Sequence, residues 1–356
     1  LISIFNNLHS MKNFKITGLI ALLALTAVSC NRDEADAIIP AEKHENGILV
    51  ANEGKFGTPN AELSYISRGF SSIKNDIYKT TNGENLGDVL QHVNFHNGEA
   101  YLVVNNSNKI IVTDRYTFKK KAEITQDVKN PRYITFVGNQ AYVTNSTYGG
   151  EQSITVYNTE NYNLIKKIPS SDVVERIVTA GTNVFVQNAS FGTGNKLTII
   201  SSTSNNVAGT ITVPNGAINK TISYNSDVYV IAGKPTEANS YIYKYNSSGN
   251  LTNTIALTGI KNANNIEIDN GYIYFTAGTG VYSMELSSST APSSPIFSVA
   301  DNGYSTLYGF NVIDGLIYIS DAKGFTQASE VSIYTPSGIR IKTFSSGMGT
   351  NGFYKN

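Results

Sequence analysis

The chain has 356 residues with 27 basic and 27 acidic side chains, so its formal charge is zero, and only 15% of it is charged against about 25% in an average globular protein. No excess of Lys or Arg is present to neutralise phosphates, which excludes an electrostatic binder of nucleic acid. The single Cys excludes an internal disulfide and a cysteine-rich metal site.

Residues 1–10 precede Met11 and show no periodicity, so they read as an upstream translation artefact. From Met11 onward, Lys12 and Lys15 form a positive region. Ile16 to Val28 then form an apolar run too short for a stable membrane span, ending in Ala27-Val28-Ser29-Cys30. The stretch resembles the lipobox of bacterial lipoproteins, with Ala27 where leucine is more usual. That resemblance implies a signal peptide over residues 11–29, cleavage before Cys30 and lipid on that cysteine, anchoring the chain to a leaflet without spanning it. Asn31, Arg32, Asp33, Glu34 and Asp36 follow. An acidic cluster there resembles the surface-export signal of Bacteroidetes outer-membrane lipoproteins, and reads equally as a solvated tether. Residues 30–46, with Pro40 and no apolar periodicity, are expected to be the lipidated cysteine and its tether.

From residue 47 no window carries helical periodicity, while short Val/Ile/Tyr/Phe runs recur between Gly, Asn and Ser clusters, an all-β pattern. An aromatic-centred strand repeats at Tyr101, Tyr142, Phe185, Tyr229, Tyr274 and Tyr318, at intervals of 41, 43, 44, 45 and 44 residues, with Leu49 opening the series. A second series follows the loops: Leu63 to Ile66, Ile110 to Thr113, Ile154 to Tyr157, Leu197 to Ile200, Tyr241 to Tyr245, Val281 to Leu286 and Val331 to Tyr334. A period in the low forties holding about four short strands is one propeller blade, and seven such blades fill residues 47–356. Apolar residues on both faces, as in Ile110-Ile111-Val112, suit a sheet buried between two neighbours. Ile48 to Asn52 matches a second strand and nothing before it resembles an innermost one. The spacing therefore predicts that the segment Gly349 to Asn356 supplies the missing strand of blade 1, following an outer strand at Arg340 to Phe344.

Tyr142-Val143-Thr144-Asn145 is the literal motif of the YVTN family of propeller repeats, set between Asn130-Pro131-Arg132 and Ile154 to Asn158. Ala51-Asn52-Glu53-Gly54 with Phe56-Gly57 resembles the opening of Bacteroidetes propeller lipoproteins that capture corrinoids at the surface. The resemblance implies a seven-bladed β-propeller anchored at the outer membrane and exposed at the cell surface, capturing a corrinoid such as cobalamin and passing it to a TonB-dependent transporter, with contact to the membrane through the lipid only.

In a propeller the loops between second and third strands share a face with those leading into the innermost strands. The former carry an Asn- or Asp-led segment with one aromatic: Asn52 with Phe56, Asn145 with Tyr148, Asn188 with Phe191, and Asp321 with Phe325. Four such rings are expected to floor an apolar bowl, unless each folds down onto its own blade. The asparagines are expected to bind ligand or to cap turns. The loops leading inward add Gln91, His92, Arg132, Glu175, Arg176, Asn219, Lys220, Asn264, Asn265, Tyr304 and Tyr308, a ring of amide, guanidinium and phenol donors suited to a large amphipathic ligand. His92 and His96, about 13 Å apart on an extended strand, are too far apart for one zinc, and no catalytic residue, metal or cofactor is expected. Two alternatives remain open. A scaffold or adhesion propeller would bind protein or glycan on a flat rim. A lactonase-like or quinoprotein-like enzyme would need clustered carboxylates, His or a metal on that face, which the sequence does not display.

Overall fold

A computed structural model describes residues 41–356. The expected signal peptide, Cys30 and most of the tether lie outside the described residues. Seven four-stranded antiparallel sheets make up a seven-bladed β-propeller. Its innermost strands, in blades 1 to 7, are Thr350–Lys355, Leu90–His96, Pro131–Val137, Ile177–Ala180, Ala217–Tyr224, Asn264–Asp269 and Phe310–Ile313. Within blades the turn chemistry is local. The two-residue turns Asn97-Gly98, Asn225-Ser226, Asn270-Gly271 and Asp314-Gly315 hold both residues at positive φ, the twist that joins innermost to second strands without splaying them.

The repeating aromatics all sit on second strands and are buried: Tyr101, Tyr142, Phe185, Tyr229, Tyr274 and Tyr318. They form the packing between blades. Tyr101, Val103 and Ile110 of blade 2 share one apolar cluster with Ile134, Val143 and Tyr157 of blade 3. Each blade thus needs a neighbour on either side, which only a closed ring provides.

Closure is made as expected, by the C-terminal strand. Val50 pairs with Phe353 and Leu49 with Tyr354 in antiparallel register. Phe353 is buried against Tyr318 and Ile48 across the seam between blades 7 and 1. Two features depart from the sequence reading. Ile77–Asn82 forms a short helix in blade 1, burying Tyr78; six residues are too few for periodicity to be visible. The end of the expected tether is docked: His44 packs on Tyr65 and Phe118, and Asn356 donates to the His44 carbonyl at 2.6 Å. Among the described residues no helix is long and apolar enough to cross a membrane.

Truncation of Phe353 to Ala removes a ring the closed seam cannot refill. A loss of about 3–5 kcal/mol is expected, read from the urea midpoint, whereas Ile341→Ala on an exposed outer strand should stay within about 0.5 kcal/mol. The same seam holds Glu62, whose carboxyl is pushed up to about 7 by burial and the charge of Asp76, against a hydrogen bond from Ser64. The folded protein then keeps a proton that the unfolded chain releases near 4.5, so stability falls as pH rises from there to about 7 and is flat above. Glu62→Gln should flatten that dependence and gain about 1–2 kcal/mol in mildly alkaline buffer, after allowance for solvent screening, while leaving the melting temperature at acid pH nearly unmoved.

Candidate functional site

The seven innermost strands leave a central cavity of about 1240 Å³. In five blades the innermost strand carries a β-bulge near its start, at Asn351, Gln91, Arg132-Tyr133, Asn219 and Asn265-Ile266. A bulge leaves its extra residue out of the ladder and re-aims the side chain. Gln91, Arg132, Tyr133, Asn265 and Asn351 accordingly line the cavity.

Around the channel these residues form a hydrogen-bonded collar. Arg132 grips Glu175 bidentately, Nη2 to Oε1 at 2.7 Å and Nε to Oε2 at 3.0 Å, and its Nη1 donates to Gln91 at 2.6 Å. Burial opposes the guanidinium charge, but the charge and hydrogen bonds of Glu175 outweigh it and hold its pKa above the ordinary value. Lys220 pairs with Glu267, which also accepts from Asn311 Nδ2 at 3.0 Å. Burial lowers the Lys220 pKa, Glu267 opposes this, and repulsion by Arg176 adds to it. Glu53 accepts from the Tyr308 hydroxyl at 2.9 Å and from Asn351 Nδ2 at 2.8 Å. Its pKa is raised by burial against those two bonds. His92 accepts the Ile134 N–H at Nδ1, and burial with Arg176 repulsion drives it down to about 3, so it is neutral with its proton on Nε2. Among the described residues no group of three or more His, Cys, Asp or Glu is placed to hold a metal ion.

Three expected ring residues reach the cavity: Phe56, Phe191 and Phe325 line it, together with Arg132, Arg176 and Tyr308. Phe325 stacks on Tyr304 and meets Tyr308 edge-on. Tyr148 is 97% exposed and is not part of the cavity wall. The asparagines are placed elsewhere than expected of ligand contacts. Asn52, Asn145 and Asn188 are buried. They clasp third-strand hydroxyls of their own blades: Asn52 donates to Ser64 at 2.8 Å, Asn145 donates to Thr155 at 2.9 Å, and Asn188 accepts from Thr198 at 2.7 Å. Their remaining amide atoms hold the segment leading into the innermost strand, as where Asn145 accepts the Lys129 N–H at 3.0 Å. Position in the turn thus serves the blade, because a buried amide must satisfy both its ends. The carboxylates are the converse. The sequence displays no cluster, yet Glu53 and Glu267 line the channel, and the buried Glu175 is paired with the channel-lining Arg132. A signal was present: Arg132 and Glu175 are 43 residues apart and Lys220 and Glu267 are 47 apart, about one blade period, which puts opposite charges on or just before adjacent innermost strands.

Glu175→Gln would leave the half-buried Arg132 guanidinium uncompensated. A loss of about 3 kcal/mol is expected by chemical denaturation, largely recovered when Arg132→Met is added.

No curated protein matches the chain in sequence. Among solved structures it is similar to a quinoprotein alcohol dehydrogenase-like protein of Bacteroides thetaiotaomicron, with a TM-score of 0.68 and 14% identity over 88% of this chain and 79% of that one. A functionally unknown protein of Desulfotomaculum acetoxidans has a TM-score of 0.65 and 11% identity over 87% and 98%, and hydrazine synthase of Kuenenia stuttgartiensis 0.58 and 16% over 72% and 85%. At such identities the likeness is one of fold. A family model described as a domain of unknown function, DUF5074, matches residues 46–350, nearly the whole propeller, and the chain belongs to that family.

Proposed function

We propose that the propeller captures a large, flat, amphipathic ligand at the mouth of its channel and does not transform it. The observation that carries this reading is the aromatic rim. Phe191 is 89% exposed and Phe56 74% exposed, on loops that line a cavity large enough for a sizeable guest. Phe191 and Phe325 also hold left-handed backbone, at φ 49 and 59, a conformation that costs a bulky residue about 1–3 kcal/mol. For Phe191 the left-handed φ belongs to the two-residue turn Phe191-Gly192, but its exposure is not offset by packing within the chain, and a stacked ligand would supply that contact. Below the rim the collar offers amide and phenol groups, while its carboxylates are tied to cations or to hydrogen-bond donors, an arrangement that favours binding over proton transfer.

A corrinoid, broad and rimmed with amides, is the ligand implied by the resemblance of the Ala51-Asn52-Glu53-Gly54 opening to surface-capture lipoproteins. Lipidation at Cys30, placement at the outer membrane facing outward and delivery to a TonB-dependent transporter form the rest of this proposal.

Calorimetry of the chain from residue 31 against cobalamin and its precursors tests it. Saturable heat, weakened by about 10-fold or more for each of Phe56→Ala, Phe191→Ala and Phe325→Ala, is expected, since loss of one stacking ring is worth about 1–3 kcal/mol; Tyr148→Ala should have no effect. Heatless mixing with an unshifted melting temperature would dispose of the corrinoid.

A further inference from the structure

The collar around the channel has one break. Side-chain hydrogen bonds of channel-lining residues join blade 1 to 2 through Asn351 and the Gln91 carbonyl, 2 to 3 through Gln91 and Arg132, and 3 to 4 through Arg132 and Glu175. Lys220 and Glu267 join 5 to 6, Asn311 and Glu267 join 6 to 7, and Tyr308 and Glu53 join 7 to 1. Between blades 4 and 5 no such bond occurs among the described residues.

Arg176, at the entry to blade 4, lines the channel and turns its guanidinium toward blade 3. Its guanidinium lies over the Tyr133 ring, 4.6 Å from the centroid. Among the described residues it donates no side-chain hydrogen bond and has no carboxylate partner, unlike Arg132 and Lys220. On the adjoining innermost strand Thr221 is 1% exposed, and its hydroxyl is buried without a hydrogen-bond partner, although the residue lines the same cavity. Strand alternation turns it toward blade 4: Lys220 before it reaches Glu267 of blade 6, and Ile222 after it packs in the cluster shared by blades 5 and 6. The remaining charges leave Arg176 in excess on this side. Arg132 and Lys220 are each neutralised by a glutamate, and Glu53 is held at the opposite side of the ring, between blades 7 and 1.

A buried hydroxyl without a partner is costly, and a cation on a partly dry wall gains from a counter-charge. The planar fork of Arg matches the paired oxygens of an oxyanion. We infer that the channel wall at the entry to blade 4 holds an oxyanion, a carboxylate or phosphate group of the bound molecule, on the Arg176 guanidinium with the unpartnered Thr221 hydroxyl of blade 5 as second donor. The site goes beyond the aromatic rim and stands whether or not a corrinoid binds there.

The intact protein is titrated calorimetrically with benzoate and phenyl phosphate, with benzamide as the neutral counterpart of benzoate. At least one oxyanion should bind and raise the melting temperature by mass action, while benzamide should do neither. The anion preferred identifies carboxylate or phosphate as the natural group. Arg176→Gln should weaken binding about 10- to 100-fold, and Arg176→Lys should retain part of it. Thr221→Val should weaken it by a smaller factor, about 2- to 10-fold. The variants' own melting temperatures, taken without ligand, confirm folding, and the anion-induced shift in the unaltered protein needs no variant. Equal binding by Arg176→Gln, equal binding of benzamide, or no heat and no shift with either anion would overturn the assignment. Cobalamin titration reads the rim separately, so failure of one leaves the other standing.

Discussion

Everything in this molecule depends on the pairing of Thr350–Lys355 with Ile48–Asn52. A blade with apolar residues on both faces is stable only between two others. An open stack of seven would leave two faces of Val, Ile and aromatic side chains in water. Bringing the last strand of the chain into the first blade removes both faces together. Phe353 of blade 1 and Tyr318 of blade 7 pack in one cluster, and Asn356 ties down His44, which packs on Tyr65 and Phe118 between blades 1 and 2. The cost in chain entropy of closing so long a loop grows only slowly with its length, whereas the apolar area buried at the seam is proportional to the strands joined.

Closure also creates the channel, and the channel sets its own electrostatic rules. Charges there are half desolvated, so each must find a partner or hydrogen bonds. The ring supplies partners by repetition. A residue at one position of a blade faces the equivalent position of the next, and Arg132 with Glu175, like Lys220 with Glu267, use that geometry. The asparagines of the YVTN-like segments answer a different need. They staple the second and third strands of one blade to the start of its innermost strand or the segment leading into it, while their neighbouring aromatics project from the loops. Arg176 falls outside both schemes, which is why it draws attention as a binding group and not as part of the frame.

The repeat, the strands and the closure are legible in the order of the residues, because those follow from properties that persist within each blade. Aromatic and β-branched residues recur at one period, tight turns of Asn-Gly type join strands, and an unpaired first strand demands a last one. Arg132, Arg176, Tyr308 and three of the four loop aromatics also reach the cavity, since loop position alone puts them on the right face. Tertiary structure decided the rest. Bulges at the start of five innermost strands shift the two-residue alternation locally, so which side chain faces the axis cannot be counted from the strand pattern. Asn52, Asn145 and Asn188 turn inward to satisfy buried hydroxyls, and Glu267 meets Lys220, 47 residues before it, because a circle of blades brings together residues one full period apart.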